Sequence, residues 1–128
     1  MTQRVVPYLL YEDAEAAIEF ATRAFGFREV DRATGAAGGL HAELEAPGGG
    51  TVYVGQPTRD FRNPARVGRT SEVFVLVDDV DRHFEQAKTN GAKIIEELVD
   101  LPFGHRRYGC VDPQGHEWFF AQPLTPNR

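Results

Sequence analysis

The sequence predicts an α+β fold made of two strand–helix–three-strand units in one domain, and two observations carry that prediction. An apolar run followed by a helix-capping aspartate and an apolar helical stripe occurs twice, with Asp13 and Asp79 as the caps. Each helical stripe is then followed by three runs rich in β-branched and aromatic residues, which are typical of strands. The chain therefore divides into a unit at 4–56, a linker at 57–70 and a second unit at 71–123.

Length and composition limit the class of protein. A chain of 128 residues forms one domain, and 41% hydrophobic with 26% charged residues is ordinary for a globular protein. The net charge of −5 disfavours nucleic acid as a partner. We expect a soluble cytoplasmic protein without a membrane partner, since no run approaches the ~18 apolar residues of a spanning helix and Met1–Arg4 lacks a signal-peptide core. The single cysteine, Cys110, is expected to be a small buried side chain.

The first unit opens with an apolar run at 5–11, short enough for a strand. Pro7 lacks an N–H group, so this strand should lie at a sheet edge or begin irregularly. A helix follows, capped by Asp13 and ended by Gly26. Three further strands are predicted at 27–32, 40–45 and 51–54.

The linker is basic. It carries Arg59, Arg62, Arg66 and Arg69 against the lone Asp60. Such a segment either forms one wall of an anion site or is a solvated crossover between the units. The sequence leaves both alternatives open.

The second unit repeats the first. A strand at 72–77 precedes the helix that Asp79 caps and Asn90-Gly91 ends. Strands at 94–98, 105–111 and 117–121 complete the unit, and the turn signal Asp112-Pro113-Gln114-Gly115 joins the last two as a hairpin. The last strand is apolar on both faces, which indicates that both of its sides are covered.

Three passages make the chain resemble the vicinal oxygen chelate superfamily, which includes glyoxalase I, extradiol dioxygenases and bleomycin-resistance proteins. They lie at 11–27, 77–81 and 112–118, and the chain looks most similar to the bleomycin-resistance-like or PhnB-like branch. The resemblance implies two βαβββ modules, each an antiparallel-rich sheet curled into a half-barrel with a helix on its convex face and a ligand cavity on the concave one. It also implies a homodimer, with which an apolar edge strand agrees.

Strand alternation assigns side chains to the two faces of each sheet, and a one-residue slip would exchange them. The residues expected on the concave faces are Val6, Tyr8, Leu10, Glu72, Phe74, Leu76, Glu117, Phe119 and Ala121. The residues expected beneath the second helix are Val73, Val75, Val77, Trp118 and Phe120.

The resemblance also says where a metal would be held. The metal enzymes of the superfamily take four ligands, typically two histidines and two glutamates, from positions that fall on Val6, Val54, Glu72 and Phe119. Three of these side chains cannot coordinate a cation, so we expect no metal and no cofactor. A rearranged site of Glu72, Glu117 and one histidine is the alternative.

The four histidines are expected to be mainly structural. His41 falls on a half-exposed strand, His83 on the polar side of the second helix, and His116 in the closing hairpin. His105 stands at a strand entry, where contact with a ligand is the alternative to a surface position.

The sequence therefore favours a metal-free binding protein for a small organic molecule over an enzyme. Its site residues are expected to be Tyr8, Phe74, Tyr108 and Phe119 as aromatic lining, with Glu72 and Arg107 as polar contacts. The resemblance implies sequestration of an aromatic or cationic compound. A lyase, isomerase or dioxygenase with unusual metal or acid–base groups is the alternative function.

Overall fold

The computed structural model describes residues 3–35, 38–58, 60–102 and 104–124. Its strands are β1 (Tyr8–Leu10), β2 (Arg28–Thr34), β3 (Leu40–Glu45), β4 (Thr51–Gly55), β5 (Glu72–Leu76), β6 (Lys93–Asp100), β7 (His105–Val111) and β8 (Glu117–Pro123). Its helices are α1 (Ala14–Phe25), α2 (Pro64–Val67) and α3 (Val80–Thr89). The strands form two four-stranded sheets, in the orders β1-β4-β3-β2 and β5-β8-β7-β6.

Both sheets are mixed and are built alike. The first strand of each unit pairs in parallel with the last, and the other neighbours are antiparallel. Tyr8 is the direct partner of Tyr53, and Phe74 is the direct partner of Phe119. Tyr8 and Phe74 are separated in sequence by the same number of residues as Asp13 and Asp79, and so are Tyr53 and Phe119. The predicted α+β fold of two βαβββ modules is confirmed.

The two long helices begin as the sequence predicts. Asp13 accepts a hydrogen bond from the Ala16 N–H at 3.0 Å, and Asp79 accepts one from the Arg82 N–H at 3.1 Å. These bonds satisfy amide groups that a helix start leaves without partners. Gly26 ends α1 with φ 76°, a left-handed conformation that suits glycine. No helix among the described residues has the length and apolar character needed to cross a membrane.

The linker is more ordered than the sequence indicated, because it contains the four-residue helix α2. Pro64 sits at the start of α2, where its fixed φ favours a helix and its missing N–H costs nothing. Arg66 lies 3.4 Å from Glu12 and Arg69 lies 3.5 Å from Glu117, so the linker arginines meet both units. Arg59 lies outside the described residues.

One hydrophobic core joins the two units. The ring of Phe25 in α1 packs 5.0 Å from Trp118 and 4.8 Å from Phe120 in β8, centroid to centroid. The helix-facing sides of both sheets therefore contribute to this one core. The opposite side of each sheet lies outside it. We call those other sides the first open face (Tyr8, Leu10, His41, Tyr53 and Gly55) and the second open face (Glu72, Phe74, Arg107, Glu117 and Phe119).

His83 was predicted on the polar side of its helix, and that prediction was wrong. It is buried: its Nε2–H donates to the Phe25 carbonyl at 2.8 Å, and its Nδ1 accepts from the Tyr108 hydroxyl at 2.6 Å. The contact between α1 and α3 covers this side of α3, and such a long-range contact leaves no mark in the helix's own sequence. Burial lowers the pKa of His83.

Cys110 is buried and unpaired as expected. Burial raises the pKa of its thiol to about 12, with the charge of Asp112 as the second cause. The thiol is therefore protonated at neutral pH and is a poor nucleophile.

Candidate functional site

The second open face gathers four of the six residues that the sequence proposed for the site. Glu72 and Phe74 lie on β5, and their direct partners on β8 are Glu117 and Phe119. Arg107 reaches the same face from β7, one strand further along. Phe74 leaves 46% of its surface exposed, so its ring is available to a ligand.

Arg107 is held in place by a carboxylate and a ring. Its guanidinium donates two hydrogen bonds to Glu96, at 2.8 and 3.3 Å, and lies 4.9 Å from the centroid of Phe119. The Phe119 ring in turn lies on Gly109, where a Cβ atom would come within 2.5 Å of it. Glycine at this strand position allows the close approach of the ring to the backbone. Glu96 was missing from the sequence-based site.

Glu72 and Glu117 form a carboxyl pair beside these rings. The pKa of Glu72 is raised, first by loss of hydration and then by the hydrogen bond and charge of Glu117. Arg107 opposes that shift from further away, because its direct hydrogen bonds go to Glu96. Glu117 also meets a cation, since Arg69 lies 3.5 Å from it.

Tyr108 lies elsewhere. It is fully buried on the helix side of β7, where its ring stacks on Phe120 at 5.5 Å and its hydroxyl bonds His83. Adjacent residues of a strand point to opposite faces, so Arg107 and Tyr108 cannot line the same site. The structure places Arg107 on the open face and Tyr108 in the core.

Tyr8, the sixth proposed residue, lies on the first open face in a cluster with His41 and Tyr53. Its hydroxyl is 2.8 Å from His41 Nδ1, and the three ring centroids are 5.1 to 5.6 Å apart at steep angles. The Tyr8 ring covers Gly55, where a Cβ atom would come within 2.7 Å of it. A pocket of about 220 Å³ opens beside the cluster, with Leu10 among its walls.

The sequence did not single out His41, although a signal was present. The offset between Asp13 and Asp79 carries Tyr8 to Phe74, Tyr53 to Phe119 and His41 to Arg107. In the structure, His41 pairs with Gly55 as Arg107 pairs with Ala121, which makes the two positions equivalent. Aligning the two units strand by strand would have drawn attention to His41.

The same alignment corrects one of the positions that the resemblance assigned to a metal. Val54 is 2% exposed and faces the helix, so Tyr53 is the residue equivalent to Phe119. The slip is of one residue, and in a strand one residue exchanges the faces. The corrected set is Val6, Tyr53, Glu72 and Phe119.

That set does not fit a divalent metal ion. Val6 has no donor atom, Phe119 has none, and a phenol with a single carboxylate falls short of the three or four donors that such ions require. Among residues 3–35, 38–58, 60–102 and 104–124, no three histidine, cysteine or acidic side chains come close enough together to hold a metal.

The two remaining histidines, His116 and His105, are not among the residues that define the open faces. The His116 ring, at the closing hairpin, donates from Nε2 to the Leu10 carbonyl at 2.7 Å and packs on Tyr11. It therefore ties the second unit to the first strand. The His105 ring lies 6.2 Å from Phe74, at the edge of the second open face.

Comparison with known proteins places these features in a wider group. A sequence profile described as the Glyoxalase/Bleomycin resistance protein/Dioxygenase superfamily matches residues 4–120. The uncharacterised protein Mb0911c of Mycobacterium bovis is 36% identical over 126 residues, which cover 92% of this chain and 82% of that protein. Protein Rv0887c of Mycobacterium tuberculosis is also 36% identical, over 92% of this chain and 73% of its own length.

Solved structures show the same fold. TioX from Micromonospora sp. ML1 superposes with a TM-score of 0.75 at 36% identity, over 96% of this chain and all of that chain. TnmS3, an antibiotic binding protein from Streptomyces sp. CB03234, has a TM-score of 0.68 at 21% identity, over 96% and 98% of the two chains. FosX, a fosfomycin resistance protein from Listeria monocytogenes crystallised with Mn(II) and sulfate, has a TM-score of 0.67 at 12% identity, over 95% and 93% of the two chains.

Proposed function

The chain belongs to the Glyoxalase/Bleomycin resistance protein/Dioxygenase superfamily, and on that premise we propose that it binds a small aromatic or cationic molecule on its open faces without a metal ion. The observation that carries the proposal is the side-chain set at the metal positions of the fold. Two of the four are aromatic and one is aliphatic, so the place of an ion is taken by apolar surface.

Aromatic rings exposed beside a few polar groups are typical of sites for organic ligands. Tyr8 and Phe74 leave 50% and 46% of their surfaces exposed, and Leu76 leaves 54%. A ligand ring can stack on such side chains, while Arg107 and the Glu72–Glu117 pair supply charge of either sign. The structural similarity to TnmS3, itself an antibiotic binding protein, supports a binding role.

A thermal-shift screen tests the proposal, since a ligand that binds only the folded state raises its stability in proportion to RT ln(1 + [L]/Kd). The probes are naphthalene, 2-naphthol and the N-methylquinolinium cation. We expect at least one to raise the melting temperature of the wild type. A shift that arises on the second open face should be lost in the double variant Phe74→Ala with Phe119→Ala. Glu85→Gln on the exposed side of α3 serves as control. No shift with any probe would remove the support for the proposal.

Metal content gives an independent check. The donor set predicts that dialysed protein retains far less than one Mn, Fe, Ni or Zn ion per chain. A stoichiometric ion that survives dialysis and is lost in Glu72→Gln would overturn the metal-free proposal and would favour the rearranged site.

A second candidate function has one specific observation in its favour. The Glu72–Glu117 pair holds a carboxyl whose pKa is raised, and a raised pKa suits a general acid or base. Under this reading the protein is an isomerase or lyase that moves a proton at the second open face. Turnover of a bound ligand by the wild type, lost in Glu72→Gln with binding retained, would favour catalysis over sequestration.

We also propose a homodimer. β1 is an edge strand that pairs only with β4 among the described strands, and Val5, which precedes it, is 85% exposed. Edge strands and exposed apolar side chains both favour contact with another chain. Light scattering should give twice the mass of one chain, and a monomer at all concentrations would contradict the proposal.

A further inference from the structure

The geometry of the first open face assigns it a ligand class. We propose that His41, positioned by Tyr8, binds the hydroxyl or amide group of a neutral aromatic ligand whose ring sits against Tyr8 and Leu10. This inference rests on the proposed binding function and specifies one subsite of it.

The Tyr8–His41 pair can both donate and accept a further hydrogen bond. Tyr8 Oη and His41 Nδ1 are 2.8 Å apart, so one of them donates to the other. If the hydroxyl donates, His41 Nε2 carries a proton and the phenol oxygen keeps a lone pair; if Nδ1 donates, His41 Nε2 accepts and the hydroxyl proton is free. In both arrangements the pair retains one donor and one acceptor. A ligand hydroxyl or amide group has both and can use either arrangement.

Apolar and aromatic side chains surround the pair. Tyr53 packs edge-on to both rings, at 5.6 Å from Tyr8 and 5.1 Å from His41, centroid to centroid. Tyr8 and His41 line a pocket of about 220 Å³ together with Leu10 and Pro57, and with the polar residues Gln56 and Thr58. Apolar walls with a few polar groups favour a flat molecule that carries a single polar group.

The equivalent position of the second unit carries different chemistry. Arg107 occupies the place of His41, but both of its described hydrogen bonds go to Glu96 and its charge is compensated there. His41 makes its described hydrogen bond with Nδ1, and its Nε2 edge is the part of the ring available to a ligand. The polar recognition of a neutral ligand is therefore assigned to the first face.

The experiment measures the dissociation constants of 2-naphthol and naphthalene, which differ by one hydroxyl group, for the full chain. A net hydrogen bond of about 1 kcal/mol corresponds to roughly fivefold tighter binding of 2-naphthol. Tyr8→Phe and His41→Leu should each abolish most of this fivefold preference for 2-naphthol over naphthalene. Glu85→Gln should bind both probes as the wild type does.

A spectroscopic readout separates positioning from a merely structural role. In ¹⁵N NMR spectra of wild type, 2-naphthol should shift the His41 ring nitrogens and naphthalene should leave them in place. Tyr8→Phe should change the His41 nitrogen shifts before any probe is added, because it removes the partner of Nδ1. This measurement also decides the question if His41→Leu fails to fold.

The outcomes are distinguishable. Equal affinity of the wild type for both probes, with binding retained, would overturn the His41 subsite and leave the proposed function standing. Binding of neither probe would overturn the His41 subsite, and the proposed function would fall with it only if the N-methylquinolinium cation also failed to bind. Tighter 2-naphthol binding that persists in Tyr8→Phe and His41→Leu would move the polar contact to another residue and overturn this assignment.

Discussion

The two open faces share one backbone plan and carry different chemistry. Each presents an aromatic pair on neighbouring parallel strands, Tyr8 with Tyr53 on one face and Phe74 with Phe119 on the other. On the first face the rings surround a tyrosine–histidine hydrogen bond. On the second they are flanked by an arginine–glutamate ion pair and two neighbouring carboxyl groups.

The difference between the two faces shows which features the repeated backbone fixes and which features differ between the units. Each face seats one ring on a glycine, Tyr8 on Gly55 and Phe119 on Gly109, yet these glycines are not equivalent in the repeat. The repeated backbone therefore fixes the direction of each side chain. The type of aromatic residue and the position of the glycine beneath it differ between the two units.

The largest expected effect comes from the buried side chains on the core side of the strands, beneath the open faces. Phe120 is fully buried, so Phe120→Ala should lower the free energy of unfolding by about 3–5 kcal/mol. Val54 is the equivalent residue of the first unit. Because Val54→Ala removes a smaller group, it should lower the free energy of unfolding by roughly 2 kcal/mol. Denaturant unfolding measures both. A cost for Phe119→Ala larger than for Phe120→Ala would show that the faces of β8 are assigned the wrong way round.

Substitution of the glycines beneath Tyr8 and Phe119 should give the next largest loss of stability. The size of that loss should differ between the two faces. Gly109→Ala would place a Cβ 2.5 Å from the partly buried Phe119 ring and should cost about 1–3 kcal/mol. Gly55→Ala should cost less than that, because the Tyr8 ring is half exposed and can swing away. Thermal denaturation of both variants checks the order, and adding Phe119→Ala should restore stability to Gly109→Ala. Equal costs would mean that the two rings are equally fixed.

His83 should make stability depend on pH. Its pKa is lowered in the folded state by burial, so the unfolded chain binds the proton more readily. Its contribution is complete above the unfolded pKa near 6.5 and is lost as pH falls below that value toward the folded pKa. Urea unfolding at a series of pH values should show a slope in this window that His83→Gln lacks. An unchanged slope in the variant would remove His83 as its cause.

The smallest expected effect is that of the carboxyl pair. The raised pKa of Glu72 means that the folded chain holds this proton more tightly than the unfolded chain, so stability should fall as pH rises from 4.5 through the folded pKa. Glu72→Gln should flatten this part of the profile. Val6, the equivalent residue of the first unit, has no such group, so Val6→Ala should leave the slope intact. A steeper profile in Glu72→Gln would contradict the pairing with Glu117.

Much of the fold was predictable because it depends on local patterns. Capping aspartates, helical stripes and strand runs gave the element order, and the edge position of β1 followed from Pro7. One further repeat was overlooked: Gln56 and Gln122 each precede a proline and each accept a hydrogen bond from the first amide of a long helix. The distances are 3.0 and 2.9 Å, so the two units share this cap as well.

The site was predictable only in part. Glu72, Phe74, Arg107 and Phe119 meet on one face because strand alternation and pairing are regular. Glu96 could not be foreseen, since β6 pairs with β7 through two irregularities that shift its register.

By itself the sequence determined a duplicated α+β chain in which Val6 and Phe119 stand at positions that the family resemblance assigns to a metal, because periodicity and residue type are properties of short segments. Only the tertiary structure decided that Tyr108 and His83 belong to the core and that His41 joins Tyr8 on an open face. The physical reason is that burial arises where α1 packs on α3 across the two units, and where strands distant in sequence become neighbours.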